Sequence, residues 1–288
     1  MALIDGEPSN HATLGGRLAT RRHGALAMLL MGLVGGASAE IPQDRHWAQL
    51  EYFFSTIRST ARLDPITTSA SGRVVSLEDD LGLDNRKGTP YLLLGTRLGE
   101  RGRLEFEYYQ LDRDATVVLD REVTWGDVVY PVAAQVSSVL DTTIYRLIAG
   151  YSLQRTSQAE FGIALGLHVT HFAVSLAGQG TAASGVVFQS DRRTELVPLP
   201  TLGLYGTFMP SERWMLRGRV DYLSLDYKGY DGSMLNAMAS LGWRFAQSFG
   251  AGVGYRFVDY KLRSSKDDFH GEVNYRFKGP TVYLEVAF

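Results

Sequence analysis

Gly279-Pro280-Thr281-Val282-Tyr283-Leu284-Glu285-Val286-Ala287-Phe288 ends the chain. Side chains alternate across an extended strand, so Val282, Leu284, Val286 and Phe288 share one face while Thr281, Tyr283, Glu285 and Ala287 share the other. The first face suits lipid. The second carries a carboxylate that is costly in hydrocarbon and needs a polar interior. A strand with lipid on one side and a polar lumen on the other belongs to the wall of a membrane β-barrel.

Working back from that end, the same alternation predicts strands over Leu50–Leu63, Thr89–Leu98, Arg103–Leu111, Ser138–Ser152, Glu160–Phe172, Leu199–Phe208, Trp214–Leu225, Met234–Phe245 and Phe249–Leu262. Short connections follow every second strand and alternate with long ones, the asymmetry of periplasmic turns and outer loops. Within the long connections, Thr116–Leu119 against Glu122–Trp125 reads as a small hairpin and Ser175–Glu195 as a loop rich in Gly, Ala and Ser.

From Phe269 the odd positions are apolar up to Phe277, and the even ones from Val282 onward. A one-residue slip moves a strand's side chains to its other face, so the switch at Lys278-Gly279-Pro280 predicts either a turn or a bulge. Single-chain bacterial barrels have even strand counts. A bulge is therefore favoured, giving an all-β, antiparallel up-and-down transmembrane barrel of about ten strands, with eight or twelve as alternatives.

Composition agrees. The 288 residues include Tyr 15, Phe 13, Trp 4 and Gly 31 but no cysteine. With a mean hydropathy of −0.09, the chain is too polar for a bundle of membrane helices and suits strands that are apolar on one face. The absence of cysteine excludes thiolate metal sites and thiol nucleophiles, and a net charge of −2 argues against a nucleic-acid partner. Arg21-Arg22-His23, the apolar run Gly24–Val34 and the small-residue end Ala37-Ser38-Ala39 describe a secretory signal peptide. Residues 1–39 are thus expected to be removed and 40–288 to form the barrel.

The alternating apolar end with its terminal Phe288 resembles Gram-negative outer-membrane barrel proteins. Together with Leu77-Glu78-Asp79-Asp80-Leu81-Gly82-Leu83-Asp84, which resembles the LxDDLGLD-like run of small OmpA/OmpX-type barrel domains, it extends the resemblance over nearly the whole mature chain. The resemblance implies an outer-membrane location, outer-membrane lipid as surroundings, Phe288 as a signal to the barrel-assembly machinery, a monomer and no cofactor. It names no activity.

Alternation assigns to the lumen Arg58, Arg97, Glu105, Glu107, Arg146, Glu160, Arg217, Arg219, Asp221, Arg244, Arg256 and Glu285, with Arg62, Glu272 and Arg276 beside them. A barrel of this size is only slightly wider than its side chains can fill. The favoured reading is a charge network that plugs the lumen, with Arg chosen for its bidentate fork. The rival is a narrow solute pore in which an arginine excess favours anions. The acids of Glu78–Asp84 lack the spacing of a calcium loop, so the expectation is leucines packed over the mouth and carboxylates in water.

Catalysis is not expected. Asp112-Arg113-Asp114 and Asp268-Phe269-His270 match the rim pairs of omptin-type surface proteases only in outline, and His171 with Ser175 is a loose version of a lipid-modifying pair. His168 reads as a hydrogen-bonded wall residue. Surface hydrolase and adhesion or receptor barrel remain as alternatives to a structural barrel or narrow pore.

Overall fold

The computed structural model describes residues 44–65, 72–182, 185–227, 230–266 and 269–288, all within the compact unit Ala37–Phe288. The signal-peptide expectation lies outside the described residues. Thirteen strands appear in order: β1 His46–Leu63, β2 Val75–Ser76, β3 Arg86–Leu98, β4 Gly102–Val118, β5 Val123–Trp125, β6 Val128–Tyr130, β7 Gln135–Arg155, β8 Ala159–Ala182, β9 Gly185–Phe208, β10 Trp214–Tyr227, β11 Tyr230–Arg244, β12 Phe249–Lys266 and β13 Phe269–Ala287.

Ten of them close a ring in the order β1, β3, β4, β7, β8, β9, β10, β11, β12, β13 and back to β1, every pair antiparallel. The seam runs from Trp47↔Ala287 to Leu63↔Gly271. At its end the Phe288 amide donates to the His46 carbonyl at 2.9 Å, and the Phe288 carbonyl accepts from the Arg45 and His46 amides. Closure gives every wall strand a partner on both sides in the lower barrel, which removes the open edges there; above Leu202, among the described residues, β9 pairs with β8 alone. Both ends of the ring's chain and the short turns at 99–101, 156–158, 209–213 and 245–248 gather at one end of the barrel, the end that faces the periplasm in outer-membrane barrels. Gly99 supplies the left-handed conformation (φ +67°) that the tightest of these turns requires.

The outer wall carries the apolar belt. Leu50, Tyr52, Phe54, Leu147, Phe161, Leu165, Leu202, Leu216, Val253 and Leu284 all face outward and are exposed, far more apolar surface than a water-soluble monomer leaves uncovered. On β13 the belt runs from Pro280 to Phe288; eight steps of about 3.3 Å on a strand tilted by about 40° rise roughly 20 Å, close to the apolar band of outer-membrane barrels. Trp214, Trp243, Phe245 and Phe249 ring the short-turn end, where amphipathic rings settle at the water–lipid boundary.

Three sequence expectations are corrected. Ser175–Glu195 is largely strand: β8 and β9 pair without interruption from Ala159↔Phe208 to Ala182↔Gly185. β4 likewise continues to Val118 and pairs with β7, so Thr116 belongs to the wall, and the small hairpin is β5 with β6, Val123↔Tyr130 to Trp125↔Val128. On the β4 extension the outward residues include Asp112, Asp114 and Thr116, because it lies beyond the belt, and strand pairing itself is a backbone interaction.

The third correction concerns β13, which has no bulge. Its register to β12 is unbroken from Phe249↔Val286 to Lys266↔Phe269. Tyr275, Phe277, Thr281, Tyr283 and Glu285 are all buried and inward, whereas Arg276, Lys278, Val282 and Leu284 are exposed and outward. The polarity switches while the backbone does not, because the surroundings exchange character. Below Gly279 the outside is apolar and the lumen polar; above it the lumen is apolar and the outside polar.

That upper lumen is filled. Phe53, Ile57, Tyr91, Tyr109, Leu111, Ile144, Met234, Val258, Tyr260, Tyr275 and Phe277 form one buried cluster with Leu77, Leu81 and Leu83 of the first long loop and Val123, Trp125, Val128 and Tyr130 of the β5–β6 hairpin. Phe277 sits at its centre, with ring centroids 5.3 Å from Tyr275, 6.1 Å from Phe53 and Tyr260, and 6.2 Å from Tyr109.

Candidate functional site

Beneath the apolar tier the lumen is charged. Inward positions of β4 and β10 stand on opposite sides of the ring, and their side chains meet across it. Glu105 accepts from Arg103 and from Arg219 (2.8 Å); Arg219 also donates to Asp221 (2.9 Å); Asp221 accepts from Arg146 (2.6 Å); and Arg146 donates to Glu107. Asn236 adds a bond to Asp221 at 3.1 Å. This chain of alternating charge spans the lumen without a gap.

Around it lie separate pairs. Arg97 grips Glu160 through two bonds (3.1 and 2.7 Å), with Ser152 donating to the same carboxylate at 2.6 Å. Arg217 forks onto Glu285, and Arg244 reaches Asp44 at 2.6 Å. Arg256 lies 3.5 Å from Glu51 and 4.3 Å over the Tyr91 ring, a charge and a cation–π contact together. Forked guanidinium–carboxylate bonds match charge and geometry at once, which is how buried ions avoid the full cost of desolvation.

The small inner residues of β8 make room for this arrangement. A side chain at Gly162 would meet the Tyr205 hydroxyl at 2.5 Å, and one at Gly166 would run into the Thr201 hydroxyl. One pocket beside Arg97, Arg103, Tyr205, Arg217 and Glu285, at the short-turn end, has a volume of about 100 Å³. At about 30 Å³ per water it holds a few waters, well short of the several hundred Å³ of an organic ligand site.

Of the residues assigned to the lumen from sequence, the structure places Arg97, Glu105, Glu107, Arg146, Glu160, Arg217, Arg219, Asp221, Arg244, Arg256 and Glu285 there, each in an ion pair. Arg58 is a correction. It points outward and is exposed, as does Arg276, and Arg62 and Glu272 share that outer face. The inward face of β1 is Gln49, Glu51, Phe53, Ser55 and Ile57. The signal was present: Glu51 would have faced lipid, while Arg58 stands above the belt. Sequence reasoning also missed Arg103 and Asp44. With them and Glu51 included, every lumen arginine among the described residues meets a carboxylate, which removes the arginine excess behind an anion-selective pore there.

The first long loop is tied down as well as packed in. Glu78 accepts from the Ser59 amide (2.7 Å) and hydroxyl (2.5 Å) and from Arg113 (2.6 Å), and Asp80 accepts from Arg121 and from the Ser76 amide (2.8 Å). The leucines pack over the mouth, but these two carboxylates are paired rather than left to water; among the described residues no cluster of three metal-capable side chains occurs. Burial works to raise the Asp80 pKa, yet the Arg121 and Ser76 bonds and the Arg121 charge hold it below the ordinary carboxylate value. A depressed folded-state pKa contributes stability above the unfolded value, lost as pH falls through the folded one. The loop is therefore expected to loosen only below about pH 4, and Asp80→Asn to produce the same loosening at neutral pH. Hydrogen exchange of the Leu77–Leu83 amides checks this; equal protection in both proteins at pH 7 counts against the latch.

Asp112 and Asp114 do not converge with His270. Leu111 and Arg113 point inward, so Asp112 and Asp114 lie on the outside of β4, and His270 lies on the outside of β13, with β3 and β1 between those strands. Asp268 lies outside the described residues. His171 and Ser175, four positions apart on one face, are separated by about 13 Å of strand. His168 is buried and hydrogen-bonded to the Tyr260 hydroxyl.

A closed ring of ten antiparallel strands with an apolar outer belt and an ion-paired lumen defines the class: the chain has the fold of outer-membrane β-barrels. A solved structure agrees. The outer-membrane protease OmpT from Escherichia coli is 15% identical, with 85% of this chain and 97% of that chain covered and a TM-score of 0.56. The translocator domain of the autotransporter NalP from Neisseria meningitidis is 13% identical over 85% and 89%, with a TM-score of 0.46. At these identities the likeness is one of fold alone. No family model matches the chain, and no curated protein does.

Proposed function

We propose that this protein resides in the outer membrane of a Gram-negative cell envelope as a monomeric barrel with a closed lumen. Its role is structural and exercised at the surface, and it is not an enzyme. On this reading the signal peptide is removed near Ala39, the short turns face the periplasm, and Phe288, two-thirds exposed at the foot of the seam, is presented to the assembly machinery. The observation that carries the closed state is the pair of stacked tiers: a cross-lumen charge chain through Arg146 and Arg219, and above it an apolar plug in which Phe53, Ile57 and Phe277 are inaccessible to solvent. Either tier alone obstructs a narrow pore. The purified barrel in planar bilayers is expected to show no conductance over the usual voltage range; reproducible single-channel steps would restore the narrow-pore reading. For the hydrolase alternative, the separation of Asp112 and Asp114 from His270 argues against a shared site, and unchanged peptide cleavage by cells carrying His270→Ala is the expected result.

A further inference from the structure

Above the lipid belt, where β3, β1 and β13 run side by side, the outer wall turns basic. Thr56 of β1 pairs with Arg86 of β3 on one side and Lys278 of β13 on the other, and two positions further up β1 Arg58 sits directly across from Arg276. All four basic side chains are exposed. Arg276 is held by Asp259 at 2.6 Å and lies against the Phe257 ring. Arg58, Arg86 and Lys278 make no ion pair among the described residues. Like charges facing each other on a ladder destabilise it unless something neutralises them.

What lies below and beside the patch identifies the neutralising group. Immediately beneath, the outward residues are Tyr52, Phe54, Val253, Tyr255 and Val282, all exposed and apolar, so the cations sit at the upper edge of the lipid-facing surface. The basic character is also one-sided. On neighbouring β4 and β7 the outward residues beyond the belt include Asp112, Asp114 and Asp141, with Asp112 directly opposite Asp141. A uniform basic girdle would reflect general attraction to an anionic surface; a confined patch of three free cations over an apolar ledge is a site.

We infer that Arg58, Arg86 and Lys278 bind the phosphorylated headgroup of an outer-leaflet lipid, whose acyl chains lie along Tyr52, Phe54 and Val282. This rests on the outer-membrane reading above. A phosphate monoester carries between one and two negative charges and three acceptor oxygens at neutral pH, suited to two guanidinium forks and an ammonium. A zwitterionic headgroup brings its own cation and leaves the patch uncompensated. Continuity with the belt makes lipid, rather than a soluble anionic polymer, the occupant.

The test uses the mature chain refolded in neutral detergent, folding being verified by its mobility on unheated gels. Retention of the bisphosphorylated glycolipid lipid A is measured by native mass spectrometry for the wild type and for Arg58→Gln/Arg86→Gln/Lys278→Gln. These are exposed, unpaired positions, so folding is expected to be unchanged. The wild type should retain lipid A, and the triple variant should bind on the order of a hundredfold more weakly. Arg263→Gln, a substitution at a paired arginine on β12 higher up the wall, serves as a control and should bind as the wild type does. Equal binding by wild type and triple variant, equal retention of lipid A stripped of phosphate, or full displacement by inorganic phosphate at equal concentration would each overturn the proposal. A wild type that folds and inserts into phosphatidylcholine vesicles yet shows no phosphate preference overturns this site alone, whereas failure to insert at all overturns the membrane reading beneath it.

Discussion

Replacing Arg146 with methionine is expected to lower the unfolding free energy by about 3–5 kcal/mol, the cost of removing one partner from a buried ion pair. Arg146 is 2% exposed and bridges Glu107 on β4 to Asp221 on β10. Methionine replaces the side chain's bulk but leaves two buried carboxylates facing each other with reduced compensation. The effect comes from the stranded charges, so a triple variant, Arg146→Met/Glu107→Gln/Asp221→Asn, should recover much of the loss. Arg58→Gln, on the outer wall, should stay within about 0.5 kcal/mol of the wild type, as surface substitutions generally do. Urea titration of the refolded barrel in vesicles measures all three. A wild-type midpoint for Arg146→Met would mean that the cross-lumen chain contributes nothing to stability.

Phe277→Ala should cost a comparable amount, about 3–5 kcal/mol, by opening a void at the centre of the apolar tier. Its ring packs against Phe53, Tyr109, Tyr260 and Tyr275, residues held by four different strands, so the surroundings cannot close in from one side. Conductance should nevertheless stay at the wild-type level, because the stacked Tyr91 and Tyr109 rings (5.0 Å), the leucines of the first loop and the charge chain below still obstruct the passage. Channel openings in this variant, absent from the wild type, would place the barrier at the single aromatic layer rather than in two tiers.

Much of the lower barrel was legible from residues alone. Where lipid lies outside and ions lie inside, period-two contrast is forced by the energetic cost of a charge in hydrocarbon. Leu104, Phe106 and Tyr108 against Glu105 and Glu107 therefore read correctly, as did the ten-strand ring and the alternation of short turns with long connections. Glu51 and Arg103 apart, which line the lower lumen and were missed, the misreadings fall above the belt. There the constraint relaxes, since the outside is water or headgroup and tolerates arginine, while the lumen is sealed by aromatic and aliphatic side chains. Arg58 and Phe277 were each given the wrong surroundings for that reason, and a change of environment on β13 was read as a slip of the strand.

The chain by itself determined that it forms a closed antiparallel barrel and which residues, Glu51, Arg103 and Asp44 apart, line its lower lumen, because alternation is a local property that every strand records independently. Only the tertiary structure decided the partners. Arg219 finds Glu105 from 114 positions away, and Arg217 finds Glu285 from 68, pairings set by where the closing ring brings β4, β10 and β13. It also decided how the upper lumen is filled, since the buried cluster is assembled from Leu77, Leu81 and Leu83 of a loop, Trp125 of a hairpin and one or two residues from each of several strands. No single segment carries that pattern; it exists only once the ring has closed.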